Sequence, residues 1–541
     1  MIVKPALRPN PSDSGAPFRH LWSNTMNGAE SLLKSLVASD VEVCFGNPGT
    51  SEMHFVAALD AVKEMRPVLG LQENVVTGAA DGYARMAGKP AATLLHLGPG
   101  LANGLSNLHN ARRASSPIVN IVGDHASSHA RYDAPLASDI AGFARPVSDW
   151  VHSSTSARSV GADAARAVRA AREAPGKIAT LILPADTAWD PAVEVAAPLP
   201  LQPRTHAAGS TIDRVASKLQ AGSKAVLLVR GDALLGEGLV AAGKIAAKTG
   251  ARLVSDTFAP RLERGAGRVQ VERLPYFGEH AAEFLAGTEL LILVGARPPV
   301  SFFAYPDKPS WLTPDGCEIA VLSHPHEDGA AALAALMDAV DARGAEGRVA
   351  TRQAIPLSLD GALDAKSIAQ IVAMHLPANA IVADEGVSST LPYYDLLNNA
   401  APHDFLNLTG GAIGSMMPVS TGAAIARPDR KVVTLVGDGS AMYTVQSLWT
   451  QARENLDIVT VVFANRGYKV LNNELVRVGA SSNGPNSGAM LDLGTPTLDW
   501  VSIGQGLGVD AVRANSRRAF EQAFVSAIAQ RGPRLIEAVL E

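Results

Sequence analysis

Between Lys431 and Tyr468 the chain reads KVVTLVGDGSAMYTVQSLWTQARENLDIVTVVFANRGY, and this segment leaves few folds open. Val432 to Val436 is a continuous apolar run of strand length that stops at Gly437-Asp438-Gly439-Ser440. Ile458 to Ala464 is a second such run, and it stops at Asn465. Between them Val445, Leu448, Trp449 and Ala452 recur at helical spacing, so the segment reads strand, turn, helix, strand. Two strands joined that way run parallel. In a parallel α/β sheet ligands collect beyond the carboxyl ends of the strands, which is where Asp438 and Asn465 fall.

An acid and an amide at neighbouring strand ends suit a hard cation. Magnesium takes oxygen ligands in octahedral array, and the Asp438 carboxylate, the Asn465 amide oxygen, a backbone carbonyl near Gly467, a water and two phosphate oxygens would complete that shell. Gly437 and Gly439 let the backbone approach, the following helix presents free N–H groups to an anion, and Ser440 could add a donor. Gly-Asp-Gly alone also makes an ordinary turn. The full pattern, GDG followed after 25 residues by Asn at the end of another apolar strand, resembles the thiamine-diphosphate motif, in which Asp and Asn bind the magnesium that carries the cofactor. Many members of that family have a second Asn after the first; here Arg466 stands there, and the ligand itself is kept.

At 541 residues the chain is long enough for three or four domains. Hydrophobic residues make up 47% and charged ones 18%, with 48 Gly and 34 Pro, which suits a glycine-turn-rich α/β enzyme. A net charge of -5 and the lack of a basic cluster interleaved with aromatics argue against nucleic acid. Cys44 and Cys317 are too few and too isolated for a disulfide framework or thiolate metal site, and read as buried small side chains. With no apolar leader segment and no run of about 18 apolar residues, a soluble cytoplasmic protein without membrane contact is expected.

Along the chain, residues 1–25 are rich in Pro and Ser and read as a loose arm. Helix and strand patterns then alternate through residues 26–190, a proline-rich linker covers 191–208, and a second α/β unit covers 209–342. A bridge at 343–355 leads to a third unit at 356–541. The expected architecture is α/β, with three doubly wound parallel-sheet domains, the first and third alike in outline.

Glu73 lies in LGLQENVVTGAADGYARMAGKP, just past an apolar strand and before a helix carrying Ala79, Ala80, Tyr83 and Ala84. A glutamate at a helix start is favourable by roughly 0.3 to 1 kcal/mol from the dipole alone. With GDG and Asn465 downstream, the segment also resembles the activating-glutamate motif of thiamine-diphosphate enzymes. That resemblance implies a carboxyl group bonded to N1' of the cofactor's pyrimidine, which favours the imino tautomer that removes the C2 proton. In a mostly apolar pocket Glu73 would share its proton with the ring. The resemblance further implies a first domain that binds the pyrimidine, a third that binds diphosphate and magnesium, and active sites shared between subunits. A homodimer is then the minimum, and a homotetramer is expected. In TGGAIGSMMP, Ile413 matches the apolar wedge that bends the cofactor, with Gly410, Gly411 and Gly414 beside it. DEGVSSTLPYY places Ser388 and Ser389 where similar proteins hold the diphosphate.

The resemblance covers nearly the whole chain after residue 25 and is closest to benzoylformate decarboxylase, with acetolactate synthase-like proteins second. FGNPGTSE looks like the segment that supplies a substrate-side hydroxyl, here Thr50, with Glu52 beside it. In LLHLGPGLAN, His96 follows Glu73 by 23 residues, matching the decarboxylase's catalytic histidine; a satisfied core histidine is the plain alternative. GPG at that strand end resembles the acetolactate group instead. Leu136 stands where acetolactate-type enzymes usually carry Gln. Phe302 and Phe303 fall where the decarboxylase has its second histidine, and His54 is a possible substitute or a surface residue. The middle unit lacks a dinucleotide fingerprint, so FAD is not expected; thiamine diphosphate and Mg2+ are. The implied reaction is attack of the C2 carbanion on a 2-oxo acid and loss of carbon dioxide to an enamine. Protonation then gives an aldehyde, and addition to a second carbonyl gives a 2-hydroxyketone. A binding homologue without catalysis remains open.

Overall fold

The computed structural model describes residues 26–480 and 484–540; the proposed arm at 1–25 lies outside them. The fully apolar runs become central strands of three sheets. The first contains β1 (Val43–Asn47), β2 (Arg66–Leu69), β3 (Ala91–Leu95), β4 (Ile118–Asp124), β5 (Trp150–Ser153) and β6 (Ile178–Pro184), in the order β2-β1-β3-β4-β6-β5. The second contains β7 (Ala225–Val229), β8 (Arg252–Ser255), β10 (Glu272–Arg273), β11 (Leu290–Val294) and β12 (Glu318–Ser323), in the order β10-β8-β7-β11-β12. The third contains β13 (Ala380–Glu385), β14 (His403–Asn407), β15 (Val432–Gly437), β16 (Ile458–Ala464), β17 (Asp510–Ala514) and β18 (Arg534–Val539). All pair in parallel.

One strand departs from that partition. β9 (Arg261–Arg264) belongs by sequence to the middle unit, yet it pairs antiparallel with β14 and forms the edge of the third sheet, order β17-β18-β16-β15-β13-β14-β9. Without β9, that order read backwards repeats the first sheet strand for strand. The strand order reverses beside β1 in one sheet and beside β13 in the other, and each reversal opens a crevice at the carboxyl ends.

The Glu73–Ala87 helix of the first unit packs on the Met416–Ala426 helix of the third, backbone against backbone. A methyl at Gly82 would overlap the Val419 carbonyl oxygen, one at Gly422 the Ala79 carbonyl oxygen, and one at Gly78 would lie 2.7 Å from the Pro418 ring. Ala79, Tyr83 and Met86 share a core with Met416, Val419, Ala423 and Ile381. Beside this contact Arg85 and Asp81 form a buried bidentate pair, Nε to Oδ1 at 2.8 Å and Nη2 to Oδ2 at 2.5 Å. The same guanidinium donates to the carbonyls of Asn407 (2.7 Å) and Pro260 (3.3 Å) and to the Thr409 hydroxyl (3.2 Å). Arg85 therefore touches all three units.

Cys44 is buried, and burial pushes its thiol up to about 12; Cys317 is half-buried. Among the described residues no helix is long and apolar enough to cross a membrane. Removing one partner of a buried ion pair strands the other charge. Asp81→Ala is expected to cost about 3–5 kcal/mol, read as a lower midpoint in chemical denaturation of the purified protein.

Candidate active site

Two groups of side chains form at the two crevices. In the first, Glu73 begins its helix and is buried, but its surroundings differ from the apolar pocket expected. Asn47, the last residue of β1, donates from Nδ2 to Oε1 at 3.0 Å, and Asn103 donates from Nδ2 to Oε2 at 3.0 Å. Two amides thus fix the carboxylate's plane. Neither is singled out by the sequence, although Asn47 ends an apolar strand as Asn465 does.

His96 follows β3 directly and precedes the Leu97–Ala114 helix. Its Nδ1 lies 2.8 Å from Oε2 of Glu52, a buried carboxylate, and 3.3 Å from the Ser51 hydroxyl. Glu52 also accepts from the Gly49 amide at 2.7 Å and from the Ser51 hydroxyl. The Thr50–Glu52 turn therefore turns Ser51 toward the histidine, while Thr50 is exposed. Gly49 is required here because a methyl on it would collide with the His96 ring. A methyl on Gly100 would lie 3.3 Å from His96 Cβ and 3.5 Å from Glu73 Oε1, so both groups line one wall. His54 instead packs on Trp189, ring centroids 5.7 Å apart. Leu136 is exposed, two residues from Ser138, whose side chain covers Gly98 at the start of the same helix.

The second group gathers at the ends of β13, β15 and β16. Asp438 is buried; its Oδ2 accepts from the Arg466 amide at 2.7 Å and its Oδ1 from the Gly439 amide at 2.8 Å. Burial raises its carboxyl above the ordinary range while these amides pull it down, so a cation alongside would favour the ionised form. Asn465 Oδ1 accepts from the Gly467 amide at 3.1 Å. Gly439 is needed because a methyl there would lie 2.5 Å from the Tyr468 ring. Among the described residues no cluster of three His, Cys, Asp or Glu side chains could hold a metal. A cation at Asp438 would be completed by amide, carbonyl and external oxygens, which fits magnesium arriving with a diphosphate. Ser440 is buried just past Asp438; Ser389 is buried and Ser388 half-buried in the turn after β13.

The Gly410–Met416 turn lies between the two groups. Asn110 donates to the Ala412 carbonyl at 2.8 Å and accepts from its amide at 3.2 Å; Asn107 and Thr444 donate to the Gly414 carbonyl at 3.2 and 3.0 Å. Ile413, half-buried, is presented from this turn. Gly411 (φ +81°) has the Phe302 ring 2.7 Å from where a Cβ would stand, so the middle unit reaches the turn. Phe302 in turn meets Phe258 and Phe303 edge-on and Tyr276 at a tilt, with ring centroids 5.3–5.6 Å apart.

Three of these loops contain a non-glycine residue in left-handed conformation, Leu97 (φ 49°), Val387 (φ 45°) and Arg466 (φ 58°). Such strain costs of order 1–3 kcal/mol each and concentrates where a loop must present groups to a ligand.

Residues 26–143 match the N-terminal thiamine pyrophosphate-binding domain of thiamine pyrophosphate enzymes, and residues 388–538 match the C-terminal one. The chain belongs to the thiamine pyrophosphate (thiamine diphosphate) enzyme family. It is 53% identical to a Mycobacterium tuberculosis protein provisionally named acetolactate synthase large subunit IlvX, covering 95% of this chain and 99% of that one. Benzoylformate decarboxylase of Pseudomonas aeruginosa is 28% identical over 91% of this chain and 95% of its own. The fold matches the crystal structure of benzoylformate decarboxylase from Polynucleobacter necessarius with a TM-score of 0.82 at 23% identity, covering 95% and 99% of the two chains.

We propose that the two groups serve the two ends of this family's cofactor, Glu73 the pyrimidine, and Asp438, Asn465, Gly467 and the serines the diphosphate. Asp438→Ala is expected to lose thiamine diphosphate on dialysis against magnesium buffer, measured by assay of bound cofactor.

Proposed function

We propose that this protein is a non-oxidative 2-oxo acid decarboxylase of the benzoylformate decarboxylase type, using thiamine diphosphate and magnesium. The observation that carries the reading is His96, oriented by Glu52 and Ser51 on the same wall as Glu73. A positioned imidazole beside the reacting carbon is what protonation of a substrate-derived carbanion needs.

When bound, thiamine diphosphate supplies the carbon nucleophile and the electron sink for loss of carbon dioxide. Glu73, held by Asn47 and Asn103, would bind the pyrimidine. Ile413 would pack against the cofactor, and Asp438, Asn465 and the Gly467 carbonyl would hold magnesium. His96 delivers a proton to the substrate-derived carbon, and Glu52 keeps the ring turned to do so. Ser51 is the hydroxyl nearest the histidine, and Thr50 lies at the rim. Phe302, Phe303 and Leu136 form the substrate side, which favours a bulky apolar or aromatic group. Leu71, Met442, Tyr443 and Phe303 lie exposed near the two half-sites in a single chain. This supports a homodimer, at minimum, in which a second copy covers them.

The second reading is a carboligase that adds the same intermediate to a second carbonyl. The 53% identity to a chain named for acetolactate synthesis favours it.

Incubation with cofactor, magnesium and either benzoylformate or pyruvate tests both, with carbon dioxide and organic product followed together. Aldehyde from benzoylformate is expected; acetolactate from pyruvate would establish the carboligase instead. Glu73→Gln should bind thiamine diphosphate yet lose turnover, and a near-normal rate would refute its assignment. His96→Ala is expected to lower kcat for aldehyde release by roughly 100-fold or more, measured at saturating substrate.

A further inference from the structure

Glu385 is the last residue of β13 and is 2% exposed. No step assigned above uses it. Its carboxylate accepts three backbone amides from a segment about thirty residues downstream: Gly414 on Oε1 at 2.5 Å, and Ser415 and Met416 on Oε2 at 2.9 and 2.7 Å. These amides open the Met416–Ala426 helix, whose positive end they form. Ser415, in the N-cap position, makes no capping bond with its own side chain. Glu385 therefore does from another strand what a local cap normally does.

The location gives this cap a wider reach. The backbone of Glu385 leads directly into the turn of Ser388 and Ser389. Its strand neighbour across the sheet is Val436, two residues before Asp438. Its side chain grips the end of the turn that presents Ile413, where Gly414 sits at φ +87°. The surrounding charges are Asp384, whose own carboxyl is raised by burial, and beyond it Arg264 and Arg273. Burial pushes the Glu385 carboxyl up to about 7, while the three amides pull it down.

We propose that Glu385 is a positioning residue that fixes the Gly410–Met416 turn, and so Ile413, in register with the diphosphate loops before thiamine diphosphate arrives. It rests on the reading that this turn faces the cofactor. All three contacts are N–H donors, so only a group with two accepting oxygens satisfies them. Glutamine of the same length must turn its NH2 toward at least one of these amides. Aspartate keeps the charge but falls one methylene short.

The test uses the full-length protein first without cofactor. In Glu385→Gln, amide hydrogen exchange across 414–416 should speed up roughly tenfold or more, as expected for loss of a buried charged hydrogen bond, while 432–437 keeps its protection. Titration with thiamine diphosphate and magnesium should then show Kd raised by about the same factor. Glu385→Asp should fall between Glu385→Gln and the parent in both measurements. Unchanged exchange at 414–416 would overturn the proposal. Loss of protection at 432–437 as well would also overturn it, because Glu385 would then be holding the sheet rather than the turn. Faster exchange at 414–416 with unchanged Kd would show a clamped turn that does not face the cofactor, so the failure would be in the site reading.

Discussion

The Arg85 guanidinium carries the heaviest constraint in the molecule. It is paired with Asp81 inside the first unit, bonded to Asn407 and Thr409 of the third, and bonded to Pro260 at the junction with the middle one. The Ser116 hydroxyl completes Asp81. An arginine suits this place because its planar fork satisfies several acceptors at fixed angles. Gly78, Gly82 and Gly422 beside it let the two helices meet backbone to backbone, where helix pairs separated by side chains sit about 8–10 Å apart. Together the two devices fix the first unit against the third.

Each sheet reverses its strand order at an interior strand, β1 or β13, and each places polar side chains at the crevice so opened: Asn47 and His96 on one, Glu385 and Asp438 on the other. The chemistry differs in kind. The first crevice carries a carboxylate held by two side-chain amides and an imidazole held by a second carboxylate, whereas the second carries a buried carboxylate, an amide oxygen and hydroxyls. The repeated strand order makes the two crevices geometrically equivalent, so their division of labour resides in a few side chains at strand ends.

Much of this was legible in the sequence where the signal is local. Continuous apolar runs marked the central strands, and the sequence also placed Asp438, Asn465 and Glu73 just past strand ends, where the structure has them. What depended on contacts between distant segments was not legible. Asn47 and Asn103 meet Glu73 across 26 and 30 residues, and Glu385 meets Gly414 across 29. DEG at a strand end carries the same signal as GDG, yet nothing in it says which loop the acid will hold. Nor was it legible that Ser51, and not the exposed Thr50, would lie against His96, because in a tight three-residue turn successive side chains point about 120° apart.

β9 was also beyond local reading, since RLER has no apolar run. Its four residues lie beside His403–Asn407 and cover what would otherwise be the bare edge of the third sheet. The middle unit is therefore not an independent cassette. A chimera that exchanged residues 209–342 for those of a relative would also exchange an edge strand of the third sheet. Junctions that look neutral in the linkers would then reach the loops of Ser389 and Asp438 through β14, β13 and β15, so variation in the middle unit is bound to the sheet it borders.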